Sequence, residues 1–287
     1  MALSTNLLEK LPPALVSSLK IGANSAHDAA ATHNAAATHD AAVGRTLPTG
    51  FPAIDRQLPG GGLLTGALVE FAVAGAASLA TTLGLAACRS AQRAAEQLGG
   101  TVPWCAFIDP SRSLYAPGVA HAGVRLDRLL VVRPPITSGL SGGGLSNRAV
   151  SGGGLSNSAE TLGRVALRVV ESQCFAVIVI DTVGVPGAEL NVPLGSWPRI
   201  VRRLALALQE TQSTVLLITD STARRPLPLP VAQRIELQRS QAHKLILQVA
   251  KDRQGRVSAP VSIDLNDHSV WAARDSGVLR EDVRHVG

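Results

Sequence analysis

A strand, a glycine-containing loop and a helix follow one another between Leu68 and Leu98, and this segment restricts the fold more than any other. Leu68-Val-Glu-Phe-Ala reads as a short buried strand, and the run from about Leu79 through Leu98 reads as a helix. Between them lies Val73-Ala-Gly-Ala-Ala-Ser-Leu-Ala-Thr-Thr82. A phosphate-binding loop would place Gly-x-x-x-x-Gly-Lys-Ser/Thr here. This loop keeps Gly75 and the Thr81-Thr82 pair, and Ala80 or Leu79 occupies the lysine slot. No lysine occurs between Lys20 and Lys244, and no arginine between Arg56 and Arg89. No local cation can therefore meet a β- or γ-phosphate.

The rest of the chain repeats the strand–helix alternation. Strands are expected at 104–108, 129–132, 175–180 and 214–219, with helices near 115–122, 159–172 and 197–211 between them. Gly99-Gly100 is a left-handed helix terminator, and Ser196 can cap the third of these helices. Gln233–Gln238 and Lys244–Lys251 read as late antiparallel strands. The fold class is α/β, with buried, mostly parallel strands flanked by helices.

Composition sets the domain organisation. The chain has 287 residues, enough for one core of roughly 200 residues plus extensions. Residues 1–22 form a helical segment with Leu7, Leu8, Leu11 and Leu15 near helical spacing, interrupted by Pro12-Pro13. Residues 23–45 are a low-complexity Ala/His linker in which His27, His33 and His39 recur every six residues. Six residues rotate a helix by about 600°, so these imidazoles spread around the axis, and a solvated linker is the default reading over a metal site. The core spans 46–265. Within it, 134–158 is a Gly/Ser-rich insertion carrying Ser141-Gly-Gly-Gly-Leu-Ser-Asn147 and its copy Ser151–Asn157, expected to be a flexible loop. Residues 266–287 form a C-terminal tail.

Aromatics are 3% of the residues, so packing relies on aliphatic layers. Net charge is +6, compatible with nucleic acid or an acidic protein partner. Cys88, Cys105 and Cys174 have neither zinc-site nor redox-pair spacing and are expected as free thiols of a cytoplasmic protein. No uncharged apolar run is long enough to span a bilayer, and no metal site is expected.

The joint spacing of several fragments resembles the core of the bacterial recombinase RecA over roughly residues 46–250. The fragments are Pro48-Thr-Gly with Ile54-Asp55, Gly60-Gly-Gly-Leu, Gly66-Ala-Leu-Val-Glu70, Thr81-Thr-Leu83, Ala106-Phe-Ile-Asp109, Gly123-Val-Arg-Leu-Asp127 and Val177-Ile-Val-Ile-Asp181. The resemblance implies a RecA-like core and assigns roles to particular positions. The family's catalytic glutamate falls on Ser111, which cannot act as a general base. Its glutamine sensor falls on Asp220, and its second DNA loop is shortened to Ser221–Pro230. Asp181, the magnesium-side carboxylate, remains as a vestige of the metal-binding strand.

Loss of the lysine, the base and the sensor together resembles the RecA-like ImuA proteins. That resemblance implies a pseudo-ATPase without cofactor, serving as an accessory protein in an SOS-induced, DNA-damage-dependent translesion mutagenesis complex. The partners it implies are an ImuB-like protein, an error-prone C-family polymerase and RecA itself. Arg199, Arg202, Arg203, Arg224 and Arg225 are candidates for DNA or partner contact, with Trp197 the one nearby aromatic able to stack on a base. Leu7, Leu8, Leu11 and Leu15 are candidates for partner docking. Two competing readings are an ATP-dependent RecA-like recombination protein and a SulA-like cell-division inhibitor.

Overall fold

The computed structural model describes residues 46–74, 79–134, 153–184, 197–209, 211–221, 229–241 and 243–265, with side chains of the helix that begins at Gly153 described from residue 159. Two short strands, β1 (Thr46–Leu47) and β2 (Leu63–Leu64), pair antiparallel around the helical turn α1 (Pro52–Asp55). Then come β3 (Ala67–Ala74), α2 (Ala80–Gln97), β4 (Trp104–Ile108), α3 (Ala116–His121), β5 (Leu129–Val132), α4 (Gly153–Glu171) and β6 (Phe175–Asp181). They are followed by α5 (Trp197–Leu208), β7 (Thr214–Asp220), β8 (Gln233–Gln241), β9 (Lys244–Asp252) and β10 (Val261–Asp264).

Eight strands form one mixed sheet in the order β10-β9-β8-β3-β7-β6-β4-β5. From β8 to β5 every neighbouring pair is parallel, and only β9 and β10 run antiparallel. Parallel strands covered on both faces read as continuous apolar runs, which is why β3, β4 and β6 were legible as strands. The late strands β8 and β9 pair antiparallel as expected, but β8 also has a parallel neighbour. β8 is parallel to β3, pairing Val69 with Gln233, and the antiparallel relation begins between β8 and β9. Periodicity identifies a strand but carries no information about the direction of its neighbour.

The travel of the chain explains the layering. Going from β3 to β4 and on to β5 moves one way across the sheet, with α2 and α3 packed on one face. Going from β5 to β6 and on to β7 moves back, with α4 and α5 on the opposite face. Crossovers of one hand must change face when they change direction. In β3, Val69, Phe71 and Val73 join the first layer while Leu68 points into the second. In α5 the stripe Trp197, Val201, Leu204 and Leu208 is fully buried at helical spacing. Burying each such side chain contributes about 1.5–3 kcal/mol, far more than helix propensity.

Two glycines set how closely packed elements approach. A Cβ on Gly84 of α2 would sit 3.1 Å from Val179 Cγ1 of β6, and one on Gly163 of α4 would sit 2.5 Å from Ile200 Cδ1 of α5. Gly99 has the left-handed φ of +65° anticipated for the end of α2. Two element bounds differ from expectation. α5 ends at Leu208 rather than at 211, and α4 begins at Gly153, inside the second Gly/Ser repeat. Once the buried stripe of 159–170 has nucleated a helix, adding a residue costs little, and even glycine extends it at about 1 kcal/mol apiece. No helix among the described residues is long and apolar enough to cross a membrane.

Candidate functional site

The carboxyl ends of the parallel strands converge on one edge of the sheet, where ligands bind in open α/β folds. Adjacent strands β3 and β7 send their connections in opposite directions, which opens a crevice between them. Three carboxylates stand along this edge: Asp220 closing β7, Asp181 closing β6, and Asp109 just beyond β4. The chain re-enters this edge at the head of α2. Gly75 lies outside the described residues, and the loop is described again from Leu79.

Leu79 occupies the N-cap position of α2 in the left-handed region (φ +66°) and offers no side-chain acceptor to the first-turn N–H groups. Ala80, the expected lysine slot, is 3% exposed and packs into the apolar layer, with Leu79 partly buried against the same layer. Thr81 and Thr82 are half-buried. The Thr81 hydroxyl donates to Asp181 Oδ2 at 3.3 Å, at the end of β6 on which α2 packs.

Asp181 is 1% exposed, and both its oxygens are engaged. Oδ1 accepts the N–H of Gly184 at 2.7 Å and that of Val183 at 3.0 Å, so the carboxylate closes the turn after β6. Burial pushes its pKa above the ordinary 3.8. The bonds from Gly184, Val183 and Thr81 pull it back, and the nearby charge of Asp109 adds to the rise.

Asp109 is fully buried and still more completely satisfied. Its Oδ1 accepts from Ser111 Oγ at 3.0 Å and from the Ser113 N–H at 3.0 Å. Its Oδ2 accepts from the Leu114 N–H at 3.0 Å and from Arg133 Nε at 3.4 Å. Arg133 also donates to the Leu114 carbonyl at 2.9 Å. Ser111, standing where the resemblance puts a general base, shares a 2.7 Å hydrogen bond with Ser113 and completes this carboxylate-centred turn. Asp220 is exposed at the end of β7, level with Val73 of β3.

Asp181, Thr81 and Ser111 are legible in the sequence, but the Arg133–Asp109 pair is not, nor is a buried ion pair between Glu70 and Arg234. Glu70, in the middle of β3, is 2% exposed. It accepts from Thr219 Oγ1 at 2.7 Å and from Arg234 Nη1 at 3.1 and 3.2 Å, and Arg234 Nε also donates to Glu236 at 3.1 Å. Burial raises the Glu70 pKa, Thr219 and Arg234 lower it, and Glu236 raises it. The available signal was a glutamate inside an apolar strand, which must find a partner.

The remaining candidates are dispersed. Arg199, Arg202 and Arg203 are exposed on α5. Trp197 is fully buried beneath them, which corrects its reading as a base-stacking aromatic: its ring belongs to the apolar stripe that seats α5. Arg224, Arg225, Ser196, the three histidines of the linker and Leu7, Leu8, Leu11 and Leu15 lie outside the described residues. Cys88 and Cys105 are buried free thiols, while Cys174 is free and half-buried. Among the described residues no cluster of three metal-ligating side chains occurs. The site's chemistry is thus acceptor-rich, with the Arg133 guanidinium committed to Asp109. Among known proteins, no family model and no curated protein matches the chain.

Proposed function

We propose that this chain is a RecA-like pseudo-ATPase, a non-catalytic adaptor of an SOS-induced translesion-synthesis complex in the cytoplasm. One observation carries the first half of that reading. At the head of α2, where a phosphate loop would aim a lysine at the β- and γ-phosphates, an alanine is buried in the apolar layer. The carboxylate that would sit beside magnesium instead closes its own turn. The Thr81 hydroxyl and Asp181 are the kind of pair that holds magnesium in a phosphate loop, but the triphosphate would meet no cation from the loop. Ser111 supports the same conclusion, because it serves the Asp109 turn and has no basicity to offer a water.

The mostly parallel sheet with its antiparallel extension supports the RecA-like assignment, and the adaptor role follows from keeping such a fold without its catalytic groups. The resemblance supplies the partners: an ImuB-like protein, an error-prone C-family polymerase and RecA. Calorimetric titration with ATP and magnesium should give no saturable heat, whereas micromolar saturable binding would overturn the pseudo-ATPase. Pull-down from DNA-damaged cells with the full chain as bait should recover a polymerase component or RecA. Recovery of neither would defeat the adaptor role.

A further inference from the structure

We propose that the paired outer faces of α4 and α5 form a docking surface for an acidic amphipathic helix of a partner protein. The two helices precede the neighbouring parallel strands β6 and β7, and they touch at Gly163 and Ile200, where the absent Cβ lets the backbones close up. That contact puts the turn holding Arg164 level with the turns holding Arg199 and Arg203. All three are exposed, as are Arg168 one turn along α4 and Arg202 on α5. Five guanidiniums thus stand on one two-helix face, against Glu160 and Glu171 as the exposed acids of the same described helices. Among the described residues the one ion pair on this face is Arg168–Glu171, at 4.0 Å with side chains 74% and 45% exposed, which leaves the pair strongly screened.

Leu206 decides the class of partner. It is 56% exposed and continues the stripe of Arg199, Arg202 and Arg203 one turn further along the helix. A bare polyanion has no use for an apolar anchor among arginines. An amphipathic helix does, placing a leucine-like side chain on Leu206 and acidic residues over the flanking guanidiniums. Nucleic acid is the less favoured occupant because the nearby aromatic, Trp197, is fully buried and cannot stack on bases. The chain's own ends do not supply the complement. Residues 1–20 contain Glu9 as their single acid, and the tail interleaves its acids with Arg274, Arg280 and Arg284. The inference rests on the binding-not-catalysis reading only in requiring a partner.

The test uses the full chain and three fluorescent probes read by anisotropy. They are a short synthetic helix with leucines on one face and glutamates on the other, its lysine-for-glutamate counterpart, and a short DNA duplex. The acidic helix should bind. Arg199→Glu with Arg203→Glu should weaken it about tenfold or more, as should Leu206→Glu alone, with unchanged thermal unfolding by circular dichroism. Arg253→Glu, in the exposed β9–β10 turn, should leave binding unchanged. The lysine counterpart and the duplex should bind at least about tenfold more weakly. The proposal falls if the acidic helix does not bind, if the duplex binds more tightly, or if Arg253→Glu weakens binding as much as the α5 changes. Nucleotide binding in the ATP titration would sink the pseudo-ATPase without moving any of these outcomes.

Discussion

Replacing Asp181 separates a carboxylate that closes a turn from one that holds a metal. Asp181→Ala removes the acceptor for the Val183 and Gly184 N–H groups and for the Thr81 hydroxyl. Both N–H groups belong to half-buried residues, so each loss falls at the lower end of the usual range, about 1 kcal/mol. With the small void added, Asp181→Ala should cost about 2–3 kcal/mol. Asp181→Asn keeps an oxygen for both N–H groups and turns an amide toward Thr81. It trades charge-assisted bonds for neutral ones but removes a desolvated charge. Because burial outweighs the hydrogen bonds and leaves the pKa raised, the neutral isostere should be as stable as the parent, or more so, at neutral pH.

The pH dependence gives the sign. A raised carboxyl pKa means that the folded state holds the proton more tightly than the unfolded chain. Stability from this group is therefore present below 3.8 and is lost as pH rises through the folded value. The parent should lose stability relative to Asp181→Asn across that window and run parallel to it above. Urea unfolding of the three proteins at several pH values, followed by circular dichroism, measures all of this. If Asp181→Asn cost as much as Asp181→Ala, or if the parent gained on it with rising pH, the carboxylate's charge would be stabilising and the turn-closing argument would be wrong.

Two further predictions test the packing. Arg234→Met strands Glu70 beside Thr219 alone and should cost about 3–5 kcal/mol in urea unfolding, while adding Glu70→Gln should recover most of it. The Arg234→Met penalty should shrink at acid pH, where Glu70, already raised by burial, takes up its proton. Gly163→Ala gains about 1 kcal/mol of helix propensity but drives a methyl to 2.5 Å from Ile200 Cδ1, an overpacking worth about 1–3 kcal/mol. The net effect should be destabilising, and an Ile200→Ala background should reverse its sign; additivity of the two changes would refute the contact.

The sequence by itself determined the α/β alternation, because a strand buried on both faces must be apolar along its length and the helix between two such strands must carry a stripe. It also determined the missing cation, since the loop's charge depends only on the residues in it. Leu79–Thr82 are legible in this way, and so is Asp181 as the last residue of an apolar run. Tertiary structure decided what those residues touch. Thr81 meets a partner 100 residues away, and Glu70 one 164 residues away. The conversion of Asp109 and Ser111 into a sealed turn depends on Arg133 arriving from beyond β5, and the parallel direction of β8 depends on β3 accepting it as a neighbour. The five arginines of α4 and α5 are separate charges in the chain and become one surface only because Gly163 lets Ile200 close the gap. Periodicity is a local property, while strand order and ion pairing are settled by which surfaces meet when the layers close on the core.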